Sequence, residues 1–68
     1  MFIVLVRYRD NLPMVASSEI ILDSEYNLYV DISDKMSDAF ISNDDNYFKA
    51  VKKSFSYNKD YKVTKYNL

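Results

Sequence analysis

The sequence predicts an α+β fold: a small antiparallel sheet in the order β-β-β-α-β, with one helical segment packed on one face. Three observations carry it. Residues 2–9 are an unbroken β-branched and aromatic run. Residues 28–32 and 61–66 alternate apolar with polar, the period of a half-buried strand. Between them, Tyr47, Phe48, Val51 and Phe55 recur at the spacing of a helix face.

The first run, Phe-Ile-Val-Leu-Val-Arg-Tyr-Arg, places Phe2, Val4, Val6 and Tyr8 on one face and Ile3, Leu5, Arg7 and Arg9 on the other. Both faces are apolar at the start, so this strand is expected to be buried on both sides and central. Asp10-Asn-Leu-Pro13 reads as a turn. Residues 14–22 read as a second strand antiparallel to the first. A short helix from Ser17 or Ser18 competes with it, but the β-branched pair Ile20-Ile21 favours strand. After the polar break Asp23–Asn27, Leu28, Val30 and Ile32 share a face of a third strand. Ser33 is a candidate helix N-cap with Asp34 in the first turn, and Met36, Ala39 and Phe40 continue the spacing. Asn43-Asp-Asp-Asn46 interrupts, and Asp44 or Asp45 offers a second cap. One kinked helix and two consecutive helices both fit. Asn58-Lys-Asp60 is a turn into a last strand, where Lys62 and Lys65 suit an exposed edge. Phe2, Val4, Val6, Leu28, Val30, Phe48, Val51 and Phe55 form the expected core.

At 68 residues the chain makes a single domain spanning 1–68. A domain of this size buries only about 60% of its unfolded surface, so packing, self-association or a partner must supply its stability. The sequence has no Cys and no His, which removes disulfides, the usual structural zinc site and the commonest catalytic base and nucleophile. It has no Gly, so phosphate-cradling loops and the dinucleotide fingerprint are absent. Any residue at positive φ must therefore be another type, with Asn27, Asn58 and the Asn/Asp clusters as candidates. The apolar start precedes its first positive charge, unlike a signal peptide. No run reaches the ~20 apolar residues of a membrane span. A cytoplasmic protein is expected, without membrane, metal or cofactor.

Charge is the one pointer to function. Residues 1–45 carry three cations against nine acids, a net of −6; residues 46–68 carry six lysines against Asp60, a net of +5. Asp31, Asp34 and Asp38 could share a helical face and hold Mg²⁺ through water, but acids at a helix start are what the macrodipole favours. Asp44, Asp45 and Asn46 match only a fragment of a calcium loop. No catalytic residues are assigned. The candidate partner-binding residues are Lys49, Lys52, Lys53, Tyr57, Tyr61, Lys62, Lys65 and Tyr66. Tyr26, Tyr29, Tyr57, Tyr61 and Tyr66 fall in exposed or half-exposed positions, and Tyr is enriched at protein interfaces.

In its Lys, Asn, Tyr, Ile, Asp and Ser usage, its length and its lack of Gly, the chain resembles small phage proteins that bind and block a host factor. That resemblance is compositional and implies a viral inhibitor acting in the host cytoplasm. The expected function is a non-enzymatic protein-interaction module, forming a homodimer through its opposed charges. The alternative is a nucleic-acid-binding accessory protein. There the lysines of the C-terminal third would neutralise phosphates and its tyrosines would stack on unpaired bases.

Overall fold

In the computed structural model, which describes residues 1–7 and 13–68, six short strands and one α-helix follow one another. They are β1 (Phe2–Arg7), β2 (Pro13–Ala16), β3 (Ile21–Leu22), β4 (Leu28–Tyr29), β5 (Ile32–Ser33), α1 (Asp45–Ser54) and β6 (Lys62–Asn67). A single 3₁₀ turn, Met36–Asp38, precedes the helix. The fold is α+β as the sequence predicts: a four-stranded sheet in the order β5-β2-β1-β6, antiparallel throughout, and a two-stranded sheet of β3 and β4. Tyr8 and Arg9 of the expected first strand, and residues 10–12 of the expected first turn, lie outside the described residues.

β1 is central because both of its faces are apolar. Phe2, Val4 and Val6 face the helix and are buried, and Ile3 is buried on the opposite face. Pro13 opens β2 at a strand's first residue, a position that tolerates a missing N–H. The molecule is 17 Å in its shortest extent, the depth of one sheet and one helix layer. Between these layers Phe2, Val4, Val6, Ala16, Val30, Tyr47 and Val51 form one core cluster, with Phe40, Phe48, Phe55, Tyr61 and Val63 packed against it.

The expected second and third strands form one long hairpin, but neither is continuous. Ser17 still pairs with Asp31, its N–H donating to the Asp31 carbonyl at 2.8 Å. Beyond that, Ser18, Glu19 and Ile20 bulge opposite the single residue Val30 before Ile21 pairs with Tyr29. Hydrogen bonds hold the bulge. The Ser18 hydroxyl accepts from the Asp31 N–H (2.9 Å), and its carbonyl accepts from the Tyr47 hydroxyl (2.7 Å). The bulge turns the outer half of the hairpin away as the two-stranded sheet.

Ser33 does not cap a helix. It lies in β5, and its hydroxyl donates to Asp38 (2.7 Å) and accepts from the Lys35 N–H (3.1 Å). Only one 3₁₀ turn forms before the chain extends again. Phe2 N–H then bonds the Ser42 carbonyl at 2.9 Å and Ser42 N–H bonds the Phe2 carbonyl at 3.0 Å, taking over β1's edge where β2 ends. Tertiary pairing thus overrides the helical spacing of Met36, Ala39 and Phe40. Leu28, Phe48 and Phe55 are half-buried, not fully buried, because they sit at the margins of the helix–sheet contact.

Candidate protein-interaction site

α1 positions three of the six lysines of the C-terminal third. Asp44 caps it, a carboxylate oxygen accepting the Asn46 N–H at 2.9 Å, and this sets the rotation of the helix. Tyr47 and Val51 then point into the core while Lys49, Lys52 and Lys53 point to solvent. Lys52 and Lys53 fall in the last turn, where the macrodipole favours cations.

Two grooves flank the C-terminal end of α1. The first, about 420 Å³, is lined by Tyr26, Asn27 and Leu28 from the β3–β4 turn and by Lys53, Ser54 and Tyr57 from the end of the helix. Tyr26 and Tyr57 are 85% and 77% exposed. Tyr26 is also the non-Gly residue at positive φ among those described, at 63°, a strained setting for a bulky side chain. Its turn is rigidly made. The Asp23 carboxylate accepts from the N–H groups of Glu25 and Asn27, both at 2.9 Å, and the Tyr26 N–H donates to the Asp23 carbonyl at 3.0 Å. The Asn27 N–H bond is the main cause holding the Asp23 carboxyl below its ordinary value, with Glu25 adding to it.

The second groove, about 410 Å³, lies between the helix end and β6, with Lys52, Lys59 and Lys62 around Phe55, Tyr61 and Val63. The Phe55 and Tyr61 rings pack with centroids 4.8 Å apart. The turn below them is the expected one: the Asn58 side-chain oxygen accepts from the Asp60 N–H (2.9 Å), and the Tyr61 N–H donates to the Asn58 carbonyl (3.2 Å).

The structure therefore divides the predicted site. Lys53 and Tyr57 share the first groove, and Lys52, Tyr61 and Lys62 the second. Lys49 stands further up α1. Tyr66 is exposed on the sheet face opposite the helix, because alternate residues of β6 face opposite ways. Lys65 departs from expectation: it does not protrude from the edge but folds over the helix start. Its ammonium pairs with Asp45 at 2.5 Å and lies 4.7 Å and 5.2 Å from the ring centroids of Phe2 and Phe48. The Lys65 hydrogen bond and charge, with a lesser contribution from Lys49, hold the Asp45 carboxyl below its ordinary value. Tyr26 and Leu28 were outside the predicted site. The sequence marks Tyr26 as exposed but does not show that the hairpin folds its turn against the end of α1.

Among the described residues no three carboxylates gather closely enough to hold a metal. Asp31, Asp34 and Asp38 share no helical face, since the helix begins later. Burial pushes the Tyr47 phenol up to about 12, and its hydroxyl serves the bulge. No described helix is long and apolar enough to cross a membrane. Comparison of the chain with protein-family models, with curated proteins and with solved structures finds no match.

Proposed function

We propose that this protein is a non-enzymatic interaction module that captures another protein through the surface around the C-terminal end of α1. The observation that carries the reading is the pair of highly exposed aromatic rings, Tyr26 and Tyr57, beside Leu28 and Lys53 in one groove. Rigid amphipathic aromatics are the residues that dominate binding energy at protein interfaces. Tyr26 strengthens the case. Asn tolerates positive φ far better and stands at the next position, yet Tyr occupies the strained site. Lys52, Lys53, Lys59 and Lys62 surround these grooves and would steer an acidic partner. A phage inhibitor of a host enzyme is the concrete form of this reading.

A nucleic-acid-binding role is the second reading, supported by the same lysines. The tyrosines favour the first. Tyr61 is half-buried against Phe55 and Tyr66 lies on the far sheet face, so the C-terminal tyrosines make no common stacking platform. The test is a pull-down from the native host's lysate, with and without nuclease, using the wild-type chain and the Tyr26→Ala/Tyr57→Ala variant. A protein band that survives nuclease and is lost with the variant supports the reading. Nucleic acid in the eluate, retained by the variant, overturns it in favour of the second.

A further inference from the structure

We propose that the outer edge of β6 receives an extended, acidic segment of the partner protein, which adds to the sheet as a further strand. This rests on the protein-binding reading and names what is bound. The Leu68 N–H donates to the Met1 carbonyl at 3.0 Å. Hydrogen-bonded and non-hydrogen-bonded pairs alternate along an antiparallel ladder, so that bond and the β1–β6 register fix where each backbone group of β6 points. Lys62, Thr64 and Tyr66 direct theirs toward β1. Val63, Lys65 and Asn67 direct theirs outward, and no strand pairs with that edge among the described residues. Phe2 fits the same alternation: both of its backbone groups bond Ser42, on the side away from β6. β6 is six residues long, matching β1, and contains no Pro. An edge of that kind is a template for strand addition.

Charge selects the occupant. Lys52, Lys59 and Lys62 ring the groove beside the start of β6, and none of the three makes an ion pair among the described residues. Asp45, near the far end of this edge, is taken by Lys65. A strand laid along β6 sends every second side chain to the helix side of the sheet. Opposite Val63, such a side chain enters the groove walled by Phe55 and Tyr61. An apolar residue between acidic neighbours is complementary to that groove and its lysine rim. A second copy of β6 is a poorer match, since it sets two lysine-rich edges side by side. Nucleic acid would use the lysines but leave the outward amides unpaired.

The probe is a capped peptide of about eight residues, the length of an ordinary strand, alternating Glu and Val. Amide hydrogen exchange is followed residue by residue in the full chain. The expected result is exchange slowed about tenfold or more at Val63, Lys65 and Asn67 on peptide addition, with Lys62, Thr64 and Tyr66 little changed. N-methylation of the peptide's pairing amides, or Lys52→Glu with Lys62→Glu in the protein, should each weaken binding about tenfold. A peptide alternating Lys and Val should not bind. The proposal is overturned if the acidic peptide binds nowhere, or if its N-methylated form binds as tightly. It is also overturned if an oligonucleotide protects the three amides in the peptide's place. Protection without peptide, together with the mass of a dimer, assigns the edge to a second copy instead. Binding that perturbs only Tyr26 and Tyr57 rejects the edge and leaves the protein-binding reading standing.

Discussion

Tyr26 and Tyr47 put the same side chain to opposite uses. Tyr47 is buried, packs its ring 4.9 Å from that of Phe40 and donates its hydroxyl to the Ser18 carbonyl. Tyr47→Phe leaves that carbonyl without its donor and should cost about 1–2 kcal/mol in denaturant unfolding. Because burial raises the phenol from 10.0 to about 12, the fold favours its neutral form. That contribution to stability is complete below pH 10 and is lost as pH rises through about 12. Alkaline titration should show the wild type losing stability across this window and Tyr47→Phe losing less. Tyr26 is exposed and strained. Tyr26→Asn should stabilise the chain by about 1 kcal/mol while weakening capture of the partner. A variant that loses stability would show that Tyr26 serves the fold instead.

Among the elements, α1 depends on its first turn. Asp44→Ala removes the cap and should lower stability by about 1 kcal/mol in thermal or urea unfolding. Asp45 ties that turn to β6 through Lys65, whose alkyl stem and ammonium cover Phe2 and Phe48. The Asp45 carboxyl is held below its ordinary value of 3.8, so its contribution is present above that pH and fades as pH falls through the folded value. Asp45→Asn should therefore melt at a lower temperature than wild type near neutral pH, with the difference closing in acid. A gap unchanged at low pH would mean that the ion pair contributes nothing. Salt should also narrow the gap, since the Asp45 end of the pair is exposed.

At the scale of the molecule, one core joins the four-stranded sheet to α1, and one small deletion reaches all of it. Val51 is fully buried at the centre. Val51→Ala removes about two methylenes' worth of burial and leaves a void, so about 2 kcal/mol should be lost. In a domain this small that is a large share of the total. The charged surface outside the core acts on rates. Lys52→Glu with Lys53→Glu should slow association with the captured partner, whereas Tyr26→Ala with Tyr57→Ala should speed dissociation, because rim charges steer encounter and aromatic anchors hold the complex. Surface-based binding kinetics separate the two. Equal effects of both pairs on dissociation alone would refute the division of roles.

Periodicity alone revealed the central first strand, the α1 stripe of Tyr47, Phe48 and Val51, the Asn58 turn and the last strand, because alternation and helical spacing are local properties of side chains along the chain. Charge counting likewise revealed the lysines of the C-terminal third. The remaining features depend on residues far apart meeting. Ser18 meets Asp31 and Tyr47, and that bond network breaks the expected second strand, residues 14–22, into two strands in different sheets. Phe2 pairs with Ser42 and draws a helix-patterned segment into extended chain. Lys65 meets Asp45 and leaves the edge where a lysine was expected to stand. Tyr26 and Tyr57 line one groove because the hairpin folds against the end of α1. Each outcome turns on a tertiary hydrogen bond, ion pair or packing contact competing with a weak local preference, and in a chain of short elements those contacts prevail.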